Sequence, residues 1–271
     1  MGRPEWAPPE VDIDRPASSR IYDYMLGGSH NFAADRAVAE RAVAAMPELP
    51  SVLRENRAYL GRAVRYLAGE AGIDQFLDLG SGIPTVGNVH EIAGAVNPDA
   101  RVVYVDIDPI AVAHARAILT GNPRAGALLG DLRRPLTILG EPLVRDLLDL
   151  DRPVAVLLVA TLHFIPDDQH PAHILAQLRQ ALAPGSYVAI SHASDDGRPP
   201  AGQRDAQEVY ARADNNVVMR GRSELAALLD GWQPVDPGIV PCPLWRPDDV
   251  DRLPAEAAHF PGYSVVARLA G

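Results

Sequence analysis

The sequence predicts an α/β fold built on a mostly parallel sheet with helices on both faces. Three observations predict it. From residue 75 onward, short apolar runs alternate with helix-length segments, the order that crossover helices between parallel strands require. One run, VAVLLVATL, is apolar almost throughout, as a strand buried on both faces should be. A third run, FLDLGSGIPT at 76–85, ends in an aspartate and two glycines, the pattern of a strand that turns toward a ligand.

The elements follow in order. The first ~20 residues, rich in Pro, Asp and Ser, read as an extended lead-in. An aromatic cluster and the Gly27-Gly28 break come next, and Asp35 is placed to open a helix. Helices are expected over 35–46 and 51–68, separated by Pro47 and Pro50. In the second, Leu53, Leu60, Val64 and Leu67 form one stripe, with Asn56 and Arg57 at its edges. Strands are expected at 75–79, 101–106, 126–130, 153–162 and 187–192, with helices at about 86–96, 109–120, 142–150 and 171–182. Pro109 and Pro171 suit first helical turns, and Gly121 and Gly185 suit exits. Helices near 203–213 and 222–230 precede two further strands, in WQPVDPGIVPCPLW and YSVVARLA. The segment between those strands is too short for a crossover helix, so they should pair antiparallel at the sheet edge. Residues 1–70 are expected to form a lead-in and helical cap or lid, and 71–271 the core, together one structural domain.

Composition excludes several functions. The 271 residues carry a net charge of −10 with no basic block, which argues against holding nucleic acid by phosphate neutralisation. No apolar run approaches membrane-spanning length, and the first residues lack a signal-peptide pattern, so a cytoplasmic location is expected. A single cysteine, Cys242, rules out an intramolecular disulfide framework or a cysteine-built metal site. All 25 basic residues are arginine. That removes a P-loop lysine, a Schiff-base lysine and the lysine of a reductase Tyr/Lys pair.

The chemistry should gather beyond the carboxyl ends of the strands. Asp78, Gly80 and Gly82 close the first strand. A pyrophosphate fingerprint would continue GxGxxG, but here Pro84 offers no N–H and Gly87 falls out of register. Asp106 ends the next strand, where a carboxylate accepts ribose hydroxyls of NAD or S-adenosylmethionine alike. Asp108, just before Pro109, reads as a helix N-cap. Asp131, with Leu132 beside it, ends the third strand, either as an adenine contact or as a turn aspartate. The fourth strand runs into a loop with His163 and Phe164, where His163 is a general base, an orienting group or a histidine satisfied by backbone. His192, ending the fifth strand, is a second candidate for the acceptor pocket. Asp167 and Asp168 read as the start of the helix at Pro171. His163, His170 and His173 do not converge as ligands, so no metal is expected.

These residues resemble a known group. RIYDYMLGGSHNFAADR, ENRAYL, QFLDLGSGIPT, VVYVDIDP, LLVATLHFIPDD, LAPGSYVAISHAS and VPCPLWRPDD are similar to blocks of an actinobacterial family of S-adenosylmethionine-dependent methyltransferases, formerly domain of unknown function 574. The likeness runs from about Ile13 to near the C-terminus. It implies a Rossmann-like class I methyltransferase fold, a seven-stranded sheet with an antiparallel last strand, and S-adenosylmethionine as cofactor. Carried over by position, Asp78, Gly80 and Gly82 would form the cofactor loop, Asp106 would bind ribose, and Asp131 with Leu132 would meet adenine. Tyr22, Tyr24, Asn31, Asn56 and Arg57 would belong to a lid, with Arg57 able to meet the methionine carboxylate. A small-molecule acceptor would then face His163, Phe164 or His192. Two other readings stand beside it: a non-catalytic binder of S-adenosylmethionine or S-adenosylhomocysteine, and an NAD-dependent oxidoreductase.

Overall fold

The computed structural model describes residues 11–84, 87–196, 217–253 and 255–270. The expected helix near 203–213 lies outside them. Eight strands form one sheet: β1 (Gln75–Leu79), β2 (Arg101–Asp106), β3 (Ala125–Leu129), β4 (Ala155–Val159), β5 (Tyr187–Ala193), β6 (Trp232–Pro234), β7 (Val240–Pro241) and β8 (Gly262–Leu269). Their order is β3-β2-β1-β4-β5-β8-β6, with the two-residue β7 pairing beside β6 on β8. β1 to β5 are mutually parallel, and β8 is antiparallel to β5, β6 and β7. The main path therefore has seven strands, of which the last in sequence is the reversed one.

Side chains alternate along each strand and divide the core in two. Leu77, Leu79, Val103, Val105, Val156, Leu158, Val188 and Ile190 face one layer. It is made by α6 (Pro135–Gly140), α7 (Pro142–Leu147), α8 (Pro171–Ala181) and α9 (Arg222–Leu228). Phe76, Val102, Tyr104, Leu157 and Ala189 face the other, made by α3 (Leu49–Gly69), α4 (Val89–Val96) and α5 (Pro109–Ile118). Burial on both faces explains why β4 reads as an uninterrupted apolar run.

Several boundaries differ from those expected. A helix not expected from the sequence, α1 (Ser18–Met25), takes up the end of the lead-in and the aromatic cluster, while 11–17 form no helix or strand. It lacks a side-chain cap and is held by Ile21 against Val38 and Ala39 of α2 (Ala33–Ala45) and by the buried Arg20–Asp35 pair. α3 starts at Leu49 because Pro50 occupies its first turn instead of separating it from the chain before. The expected helix at 142–150 is α7, which ends at Leu147, and a further short helix that was not expected, α6, precedes it and stops at Gly140 ahead of Pro142. β4 stops at Val159 rather than residue 162, because Ala160 adopts φ +57° and a 3-10 turn follows over Leu162–Phe164. The expected strand across 232–245 is the two short strands β6 and β7, parted by a turn at Gly238 (φ +84°). No helix among the described residues is long and apolar enough to cross a membrane.

α3 is built into the core rather than laid over it. Tyr59 donates to Val265 O of β8 at 2.8 Å, and Arg62 donates to Trp245 O at 2.9 Å and Cys242 O at 2.8 Å. Replacing Arg62 with Met keeps the apolar stem but takes the guanidinium donor from two carbonyls, leaving Cys242 O only the long Trp245 N–H contact at 3.3 Å. The expected cost is about 2–4 kcal/mol, read as a lower urea midpoint at unchanged m-value.

Candidate active site

After β1 the chain turns sharply over β2, with Gly80 N–H and Ser81 N–H both donating to Val105 O, at 2.8 and 3.1 Å. Gly80 and Gly82 have φ of +78° and +67°, a region that side chains rarely enter. Their surroundings differ. A Cβ on Gly80 would lie 2.4 Å from Thr161 Cγ2 and 3.7 Å from Leu132 Cδ2, whereas one on Gly82 would meet no atom of the described residues within 4 Å. Gly80 is thus required by packing, and Gly82 borders open space.

Gly82 N–H donates to Asp106 Oδ2 at 2.7 Å, and Asp108 N–H donates to Oδ1 at 2.8 Å. Asp108 itself caps α5 through Ile110 N–H at 2.9 Å and accepts the Ser19 hydroxyl of α1. Asp78 lies one strand away on the same face and accepts no hydrogen bond from any described residue. Burial lifts the Asp78 carboxyl to about 7; Arg57 opposes this and Asp106 adds to it. Burial likewise lifts Asp106 to about 6 against the pull of its backbone donors. Arg57, on α3, also donates to Gly87 O at 3.2 Å. Ile107, 61% exposed, stands between the two aspartates of the second strand end.

The N-terminal helices reach this site through one polar relay. Tyr22 donates to Leu53 O at 3.2 Å and accepts Asn56 Nδ2–H at 3.0 Å. Asn56 Oδ1 accepts the Ser191 hydroxyl of β5, and Ser191 Oγ accepts Ala160 N–H at 2.9 Å. The relay holds Ala160 in its left-handed conformation and so sets the direction of the β4 loop. Tyr24 and Asn31 are not brought into this group. Tyr24 donates to Glu40 of α2, and Asn31 binds Asp23 and Gly28 O at the α1–α2 turn.

Asp131 is held by Arg133, with guanidinium contacts of 2.6–2.9 Å. Burial raises its pKa, but these contacts outweigh burial and leave it below the usual value. Leu132 packs toward Gly80. In the β4 loop, the Thr161 hydroxyl and His163 Nδ1 are buried without a partner among the described residues. The His163 ring lies edge-on to Phe164 at 4.4 Å and to His192 at 5.7 Å. Burial, with His192 and Arg220 nearby, lowers His163 to about 3. His192 has both nitrogens engaged: Nδ1 bonds Ala193 O at 2.8 Å, and Nε2 accepts from Arg220 at 2.9 Å. Its pKa falls to about 4, chiefly by burial. Among the described residues, no three His, Cys, Asp or Glu side chains are placed to hold a metal ion.

Sequence reasoning passed over Thr161, Ser191, Ile107 and Arg220. Ile107 carried a usable signal, an apolar residue between two aspartates at a strand end. Arg220 carried none, because its partners lie 28 to 58 residues away.

Comparison with known proteins gives a consistent result. The S-adenosyl methyltransferase family profile matches residues 4–270. A solved structure of a candidate methyltransferase from Thermobifida fusca is 42% identical, with a TM-score of 0.91, over 99% of this chain and 100% of its own. A DUF574 family protein from Streptomyces avermitilis is 38% identical, with a TM-score of 0.89, over 95% of this chain and 99% of its own. Mitomycin 7-O-methyltransferase shares the fold at 19% identity and a TM-score of 0.52, over 94% of this chain and 69% of its own. No curated protein matches.

The two raised carboxyls predict a pH dependence. An unfolded aspartate titrates near 3.9, so between about pH 4 and 7 the folded protein holds more protons than the unfolded chain. Their contribution to stability is full below that unfolded value and is lost as pH rises through about 6 for Asp106 and about 7 for Asp78. The slope is at most about 1.4 kcal/mol per pH unit for each group. Urea unfolding of ligand-free protein from pH 4.5 to 8 should show Asp78→Asn gaining on wild type as pH rises. A constant difference between the two would contradict the assignment.

Proposed function

Because the chain belongs to the S-adenosyl methyltransferase family, we propose that it transfers a methyl group from S-adenosylmethionine to a small-molecule acceptor at the carboxyl ends of β1 and β4. The pair of buried carboxylates beside the Gly80–Gly82 turn carries this reading. Asp78 lacks a hydrogen-bond donor among the described residues, and Gly82 borders open space beside Asp106. Anionic oxygens around an open backbone turn suit a cationic ligand with a ribose diol and disfavour a pyrophosphate, whose own charge would oppose them. The residues therefore fit S-adenosylmethionine.

Asp106 would accept from the ribose hydroxyls, Asp78 would meet the methionine ammonium, and Arg57 its carboxylate. Ile107, Asp131 and Leu132 would border adenine, with Asp131 still braced by Arg133. The cofactor supplies a methyl group already activated on sulfur, so alignment and exclusion of water are the main tasks left to the protein. Tyr22 and Asn56 close the N-terminal side, while Tyr24 and Asn31 brace that lid by joining α1 to α2. His163, with Phe164 beside it, would receive the acceptor. Protonating a group with a pKa of about 3 at pH 7 costs about 5 kcal/mol. His163 therefore serves best as a neutral group that orients the hydroxyl or amine of the acceptor. His192, with both nitrogens engaged, is assigned no direct contact. The net charge of −10 supports a small acceptor in the cytoplasm over a nucleic acid.

A thermal-shift experiment tests the cofactor. S-adenosylmethionine or S-adenosylhomocysteine at ~100 times its dissociation constant should stabilise by about 2.7 kcal/mol, roughly 5–10 °C for a chain of this size. Asp106→Asn should lose most of that shift, and NAD(H) should give none. A shift with NAD(H) alone would overturn the reading. Label from the cofactor methyl group should pass to a member of a panel of small hydroxy and amino compounds. Binding without transfer across that panel would favour a binding role instead.

A further inference from the structure

Arg220 lies outside the cofactor residues, yet its guanidinium is among the most completely engaged groups in the protein. It is 3% exposed, and all five of its N–H bonds have an acceptor in reach. Nε donates to Asp167 Oδ1 at 3.3 Å. One terminal nitrogen donates to Leu162 O at 3.2 Å and to His192 Nε2 at 2.9 Å, the other to Ile165 O at 2.8 Å and Asp167 Oδ1 at 2.6 Å. The backbone beside it is tied in as well, with Arg220 N–H on Ala193 O and Val218 N–H on His163 O.

These contacts fix both sides of His163. The carbonyls of Leu162 and Ile165 bracket the turn that carries it, so one rigid fork sets the turn. The second imidazole, His192, lies 5.7 Å away and would otherwise compete for the same ligand proton. An arginine has no lone pair to offer, so His192 Nε2 must be the unprotonated nitrogen. A carbonyl only accepts, so Nδ1 must carry the proton toward Ala193 O. We propose that Arg220 is the positioning residue of the acceptor site: it fixes the turn that carries His163 and occupies the one lone pair of His192, leaving His163 as the imidazole that meets the acceptor. This rests on the acceptor-side role assigned to His163 above. A lysine, with three donors on one point, would not hold the four groups together.

The test is the protonation state of the histidine rings, read from 15N-resolved spectra between pH 5 and 8. Among the described residues, the charged and titratable groups around His192 and His163 are Arg220 and Asp167, the two rings themselves, and Tyr263 of β8, which pairs with His192 of β5. In wild type, His192 should stay neutral with its proton on Nδ1 throughout. Arg220→Met should leave the proton on Nδ1, where Ala193 O still holds it, but free the Nε2 lone pair and so raise the titration midpoint by at least one pH unit. Asp167→Asn, which loosens the same loop but leaves the Arg220–His192 contact, should not raise that midpoint. A clamp that acted only through loop stability would move both variants together, and that result would overturn the proposal. So would an Nε2–H His192, or one titrating between pH 5 and 8, in wild type, which needs no variant to fold. Arg220→Met should bind S-adenosylmethionine within about twofold of wild type, since Arg220 touches none of Asp78, Gly82 or Asp106. Failure of the cofactor reading would appear in that binding measurement and leave the histidine signals unchanged.

Discussion

The register that sets β1 between β2 and β4 is the constraint on which the rest of the molecule depends. Leu79 pairs with Val105, so β2 runs one residue further and Asp106 projects past the end of β1, within reach of Gly82 N–H. Tyr104, Asp106, Phe76 and Asp78 share the face covered by α3, α4 and α5, because side chains alternate with a period of two. A slip of one residue would turn Asp106 into the layer of Val105, Leu128 and Ile138. Two carboxylates within one site are thus a consequence of strand pairing, made before any ligand is considered.

The N-terminal helices depend on that arrangement in turn. Ser19 of α1 reaches Asp108, two residues from Asp106, and Val11, Phe32, Ile83 and Ile110 form a small apolar cluster beneath the same corner. On the other side, Tyr22 and Asn56 join Ser191 and, through it, Ala160. The left-handed conformation of Ala160 is unusual for a residue with a side chain and persists because its neighbours over-determine it. Movement of α1 would therefore be felt at the start of the β4 loop, two and three residues before Leu162 and His163. The N-terminal helices and the β4 loop are thus joined by one chain of hydrogen bonds.

Much of the fold was legible because it rests on local signals. Alternating apolar runs located the five parallel strands, prolines marked helix starts, and Asp108 before Pro109 marked the cap of α5. The failures share a cause: the deciding interaction lies far away in sequence. α1 is held by the distant Asp35 and the α2 face, so nothing in its own residues demanded a helix. β4 ends where Ser191, 31 residues on, takes the N–H of Ala160. At the site, aspartates at strand ends could be read from position alone. The state of each histidine could not, since His192 is engaged by Arg220 while His163 Nδ1 has no partner among the described residues, a difference invisible in HFIPDD or ISHAS.

The absence of lysine now has a structural counterpart. Arg20, Arg62 and Arg220 are nearly buried, and each spends several donors on partners in other segments: Asp35 and Arg15 O, Trp245 O and Cys242 O, and the β4 loop with His192. A guanidinium serves such sites because its donors diverge in a plane, so one side chain can close several main-chain carbonyls at once. The buried carboxylates divide by the same logic. Asp35 is satisfied by Arg20 and by backbone N–H groups and holds the scaffold. Among the described residues, Asp78 has no such donor, and Asp106 has backbone donors but no arginine of its own. Positive charge at these three arginines is met by the protein's own carbonyls and carboxylates, whereas among the described residues Asp78 and Asp106 at the strand ends have no arginine within salt-bridge distance. That asymmetry arises from where the arginines stop as much as from where the aspartates stand.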